Sequence, residues 1–169
     1  MSSLARNSWV GSTGTATRVS GGPEGVGTAL QAEDLWERHG SSAYSLACAL
    51  LGDEAAASLA VTLAMADLAS SESASASDAG RSLARHVYWR SQELTGETSR
   101  TLRLPPAMVW LGQLAQLQRE CLALCLFGGL THREAAGLLG VPPLTVARML
   151  TSALRDLGRL AAGDRVASG

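Results

Sequence analysis

The stretch LTHREAAGLLGVPPLTVARMLTSALRDLGRL, Leu130 to Leu160, decides the fold. Ala136, Gly140 and Val146 fall four and then six residues apart, and each position has a steric task. A small residue in the first helix admits a close crossing by the second. Gly140 permits the positive φ of a tight turn. Val146 plugs the inner face of the second helix against the first. Thr131 suits the N-cap of the first helix, and Glu134, three residues on, completes a capping box. Pro142 and Pro143 are excluded from a helix interior but fit a turn and the opening of the helix after it. The spacing predicts a helix-turn-helix whose last helix runs from about Pro143 to Leu160 and frays in AAGDRVASG.

On the N-terminal side of this motif, Val109, Leu111, Leu114, Leu117, Cys121, Leu124 and Phe127 predict one helix from about Ala107 to Phe127, ended by Gly128-Gly129. Before it, TGETSRTLRLPP, residues 95–106, reads as a linker, because its glycine and double proline forbid a continuous helix. Residues 28–94 read as a helical bundle. Leu30, Leu35, Tyr44, Ala47, Cys48 and Leu51 share one face of a helix from Ala29 to Leu51, with Gly40-Ser41-Ser42 as a kink or restart. Asp53 caps a second helix, Glu54 to about Ser70, which is apolar on nearly every side and is expected to be buried within the bundle. SSESASASD, residues 70–78, is a polar break. A third helix, Gly80 to about Glu93, mixes Arg81, Arg85 and Arg90 with Tyr88 and Trp89. That mixture suits nucleic-acid backbones and base stacking, or a packed face of Leu83 and Val87 with solvated arginines. Residues 1–27, rich in Ser, Gly and Thr, bury too little to offset the entropy of ordering and are expected to be a disordered tail.

The chain has no Lys, no Ile and one Phe, a bias that follows from a GC-rich genome more readily than from a function. Helix formers dominate, so the chain is expected to be all-α, in two small helical domains: residues 28–94, and residues 107–163 containing the helix-turn-helix. The formal net charge of −1 is unevenly distributed. Residues 24–78 carry nine acids against Arg38 alone, whereas residues 81–165 carry eleven arginines against six acids. The second half is therefore the one suited to a polyanion. No apolar stretch resembles a signal peptide or a membrane span, and a cytoplasmic protein with no membrane partner is expected.

Cys48, Cys121 and Cys125 form no metal pattern with His39, His86 or His132, and core filling is the expected role of the thiols. A cytosolic disulfide is not expected. No phosphate loop, nucleophile–histidine–acid set or carboxylate pair stands out, so neither catalytic residues, metal nor cofactor are expected, and the chain is not read as an enzyme.

The block from Gln118 to Leu157 resembles region 4 of bacterial sigma factors, especially the extracytoplasmic-function class. In that family an L..L...R..L.L..F.GL helix precedes the helix-turn-helix, here Leu117, Arg119, Leu122, Leu124, Phe127, Gly129 and Leu130, and a TV pair opens the recognition helix, here Thr145 and Val146. The resemblance implies a transcription regulator that binds promoter DNA and RNA polymerase. The family's recognition helices tend to read GTVKSRLHRAR, whereas this frame reads LTVARMLTSAL, so the row of basic side chains is thinned. Arg133, Thr145, Arg148, Thr151, Arg155 and Arg159 remain as the implied DNA contacts: Arg148 toward a guanine, Thr151 toward a phosphate.

More faintly, Leu35 to Asp67 resembles the polymerase-binding region 2 of the same family, through a first helix ending in LLGD and the helix after it. Where that family has an acid-rich run and then Val-Gln-acid, this chain has Ala56, Ala57, Ser58 and Leu59, then Val61, Thr62 and Leu63. Weakened contacts to the polymerase core follow. The alternative is a sigma-like interaction protein that does not initiate transcription and binds another regulator through its apolar helices. A LuxR-type helix-turn-helix has the same general plan, but the βα alternation of a receiver domain is missing from the first half.

Overall fold

The computed structural model describes residues 24–70, 78–95 and 103–167, and every regular element among them is helical. Helix α1 spans Glu24–Leu51, α2 Glu54–Ser70, and α3 Ala79–Thr95. A 3-10 turn covers Pro106–Gln113, followed by α4 (Gln116–Leu126), α5 (His132–Leu139) and α6 (Pro143–Ala167). Nearly all of the expected N-terminal tail, the polar break after Ser70 and most of the expected linker lie outside the described residues.

Helices α1, α2 and α3 pack on one another around Leu46, Ala47, Cys48, Val61, Leu83 and Val87, all buried. The helix does not restart at Gly40-Ser41-Ser42, and α1 is continuous through them. Trp36, one turn earlier, lies over Gly40, where an added Cβ would stand 2.8 Å from the indole Cδ2. The glycine thus seats an aromatic ring on its own helix instead of breaking it. The helix also begins at Glu24, upstream of the expected Ala29. Each propagating residue adds a hydrogen bond, which offsets a glycine penalty of roughly 1 kcal/mol. Gly52, at φ +62°, turns the chain, and the Asp53 carboxylate accepts the Ala56 N–H at 2.8 Å to cap α2.

Only one side of α2 is buried: Ala57, Ala60, Val61, Ala64 and Leu68. Leu59 on the other side is 48% exposed, so the bundle covers half of this helix. In α3 the arginines are paired with acids, although Arg81 stays exposed. Arg90 grips Asp67 of α2 through two hydrogen bonds of 2.7 Å and also holds Glu93, while Arg81 holds Asp78. The Arg90 bonds keep the Asp67 carboxyl below the usual carboxylate range.

The helix expected over residues 107–127 is two elements. After the 3-10 turn, Leu114 (ψ 146°) and Ala115 (ψ 150°) are extended, and α4 starts afresh at Gln116. The Gln118 side-chain carbonyl accepts the Ala115 N–H at 3.0 Å, capping that new start from inside. Helix α6 continues to Ala167 as one rod, past the fraying expected after Leu160.

The buried apolar residues of α4–α6, including Cys121, Leu124, Ala135, Ala136, Val146 and Ala153, join those of α1–α3 in a single cluster. Two further contacts cross between the groups. Arg85 of α3 bonds Glu134 of α5 at 2.8 Å. At the end of α4, an added Cβ on Gly128 would lie 2.5 Å from the Leu124 carbonyl oxygen and 3.2 Å from the Ala84 Cβ of α3.

Two glycines therefore separate two kinds of constraint. Gly140, at φ +66°, has open space around its Cβ position, so Gly140→Ala is expected to cost about 1 kcal/mol from conformation alone. Gly128→Ala forces a backbone contact and is expected to cost on the order of 1–3 kcal/mol by overpacking. Urea titrations of both variants check the order, and equal losses would contradict it. Acid titration gives a second check. The Thr131 backbone N–H, with help from its hydroxyl and from Arg85, holds the Glu134 carboxyl below its usual range. Its stabilising contribution is therefore full above the unfolded-state value, about pH 4.3, and is lost as pH falls through the lower folded-state value. Glu134→Gln is expected to be less stable at neutral pH and to show a flatter decline in acid than the parent chain.

Candidate nucleic-acid interface

The helix-turn-helix is built outward from one carboxylate. Glu134 accepts the Thr131 N–H at 2.8 Å and the Thr131 hydroxyl at 2.8 Å, and the Thr131 oxygen accepts the Glu134 N–H at 3.3 Å. This is the expected capping box. Gly140 closes α5 in the left-handed region, with the Val141 N–H bonded back to the Ala136 carbonyl at 3.1 Å. The chain then turns through 110° into α6, within the range of DNA-binding helix-turn-helix units. Ala136 and Val146 are buried at the crossing, as their spacing predicts, and Ala135 is buried beside them.

Which way α6 faces is set by α4. Gln118 donates from Nε2 to Ser152 Oγ at 3.0 Å and to Asp156 Oδ2 at 3.1 Å. With Val146 and Ala153 buried, these bonds fix the rotation of the rod. The opposite side carries Leu144, Arg148, Thr151, Arg155 and Arg159, all exposed and spaced by three or four residues. Four of the six sequence-predicted contacts thus share one stripe. Arg133 is exposed in the first turn of α5, and Thr145 is only partly exposed at the start of α6.

The electrostatics divide these residues further. Arg159 is paired with Asp156, whose carboxyl is held low by Arg159 and then by Gln118. Arg133, Arg148 and Arg155 have no salt bridge among the described residues. The Thr151 hydroxyl donates to the Ala147 carbonyl at 2.8 Å. Its proton is engaged within the helix, which leaves the acceptor lone pairs of the hydroxyl open. The arginines of α3 leave little charge for a polyanion, since Arg81, Arg85 and Arg90 are all in ion pairs. Trp89 is 54% exposed but stands on Tyr88 edge-to-face, at a ring separation of 5.4 Å.

Gln118 and the Arg85–Glu134 pair escaped the sequence reading. A glutamine at the third position of a helix is a capping signal, so Gln118 was open to being found. Arg85 and Glu134 are 49 residues apart, with no pattern linking them. Burial pushes the Cys121 thiol up to about 11 and raises Cys48 and Cys125 as well, so these cysteines keep their protons. No single helix among the described residues is long and apolar enough to cross a membrane.

No curated protein and no solved structure matches the chain significantly. The family model described as sigma-70, region 4 matches residues 108–157, from the 3-10 turn to the middle of α6. The chain therefore carries a sigma-70 region 4 helix-turn-helix and is, in that portion, sigma factor-like.

Proposed function

We propose that this chain is a transcription regulator whose helix-turn-helix lays α6 in the major groove of promoter DNA. One observation carries the reading. Arg148 and Arg155, free of salt bridges among the described residues, stand on the outward stripe of a helix held in place by Gln118. An arginine on such a helix bonds guanine O6 and N7, and its neighbours neutralise phosphates. Arg133, at the start of α5, is placed for the flanking backbone. Helices α1–α3 form the counterpart of a polymerase-binding bundle, joined to the helix-turn-helix lobe through residues 95–106.

A second reading, a sigma-like protein that binds a partner without initiating transcription, is favoured by the exposed side of α2. The uncovered face offers Ser58, Leu59 and Thr62, and the Thr62 hydroxyl is turned back on the Ser58 carbonyl at 2.9 Å. Of the two acids in α2, Asp67 is engaged by Arg90 and Glu54 lies in the first turn. Little is left to dock a polymerase by polar contacts.

Arg148→Ala is expected to weaken binding to a preferred duplex by about 1–3 kcal/mol and to blunt the preference for one base pair. Arg155→Ala is expected to weaken all duplexes alike and to reduce the salt slope by about 1. Arg159→Ala should do less than either, because its charge is already balanced by Asp156. Gel shifts over a salt series measure all three, and an intact chain that binds no duplex at low salt would refute the DNA reading. For the second half, purified core polymerase is expected to retain the chain more weakly than an ordinary sigma factor. Promoter-specific run-off transcripts from core polymerase and this chain alone would contradict the non-initiating reading.

A further inference from the structure

The first turn of α6 has an unusual surface. Pro142, Pro143 and Leu144 are all exposed, and Leu144, at 62%, is the most exposed large apolar residue among those described. Both prolines lack an N–H. The Thr145 and Val146 N–H groups both point back at the Pro142 carbonyl, at 2.9 and 3.3 Å. A helix N-terminus ordinarily offers free N–H groups to a phosphate, and here Leu144 alone retains one among these five residues. The tip of the helix is thus apolar and poor in donors, at the place where a recognition helix meets base edges.

Leu144 also lies in line with Arg148, one turn further along the same stripe. Four residues advance the helix by about 6 Å, and base pairs are stacked about 3.4 Å apart. Side chains from these two positions therefore fall one or two base-pair steps apart along the groove. The apolar group presented by the bases in the major groove is the thymine 5-methyl. We propose that Leu144 is a specificity-determining residue that reads a thymine methyl one or two steps from the base bonded by Arg148. This rests on the DNA reading above, and its test separates the two.

The full chain is first used to enrich a preferred duplex from a random library. Each thymine of that duplex is then replaced in turn by uracil, which keeps every hydrogen-bonding group and removes only the methyl. At one position, one or two steps from the guanine whose recognition Arg148→Ala abolishes, uracil is expected to weaken binding about four-fold, as loss of one buried carbon predicts. Leu144→Ala is expected to bind the thymine and uracil duplexes equally at that position. Its side chain is exposed, so its melting temperature should match that of the parent chain.

A parent chain that binds its preferred duplex with no uracil effect at any position overturns the Leu144 assignment and leaves the DNA reading standing. A Leu144→Ala variant that keeps the uracil effect overturns the assignment too, by giving the methyl to another residue. If Leu144→Ala weakens retention of core polymerase while DNA binding is untouched, the tip is a protein contact and the assignment fails. Enrichment of no sequence overturns the DNA reading and this assignment together.

Discussion

The Glu134 carboxylate is the node on which the arrangement of the two helix groups depends. One oxygen closes the capping box with Thr131, so it fixes where α5 begins. The other meets Arg85 on α3, so it also fixes where α5 sits against the N-terminal bundle. Charge-assisted bonds of this kind are shorter and stronger than neutral ones, but these are partly open to solvent, which limits their worth. Their value lies in direction. The apolar cluster beneath is made of alanines and leucines that pack without strong orientation, and one carboxylate bound on both sides gives the interface a register.

Arginine placement shows the same economy throughout the described residues. The arginines of α3 and Arg159 of α6 are matched to nearby acids, so the excess positive charge of the second half is narrower than its composition indicates. Among the described residues the exposed arginines without a salt bridge are Arg103, Arg133 on α5, and Arg148 and Arg155 on the outward side of α6. Arg119 behaves differently: its Nε is enclosed on α4 without an acceptor, and burial pulls its guanidinium below the usual range. Of that unmatched charge, Arg148 and Arg155 share the outward stripe of α6.

Much of this was legible in the chain itself, and the reasons differ by element. The helix-turn-helix could be read because a cap, a turn and a crossing each demand a particular residue, and Thr131, Gly140, Ala136 and Val146 supplied them. Gly40 misled because a glycine in a helical pattern signals either a break or a close approach. Only Trp36, lying over it, decides between them. The break before Gln116 was hidden because Leu114 and Leu117 keep helical spacing across it, and the extended backbone there follows from the packing of Leu111 and Leu114 into the core. Arg148, Thr151, Arg155 and Arg159, named from the sequence, share one exposed stripe, yet Thr151 and Arg159 are engaged locally. Periodicity reports which way a side chain points and is silent on whether its hydrogen-bonding capacity is already in use.

The unbroken length of α6 has a mechanical consequence. A helix of 25 residues is a rod of about 37 Å, with Arg148 in its near turns and its last turns beyond the Gln118 bonds. Gln118, bonded near the midpoint, acts as the bearing in which the rod is clamped. A twist applied to the distal turns therefore meets resistance at Ser152 and Asp156 before it reaches the stripe that holds Arg148.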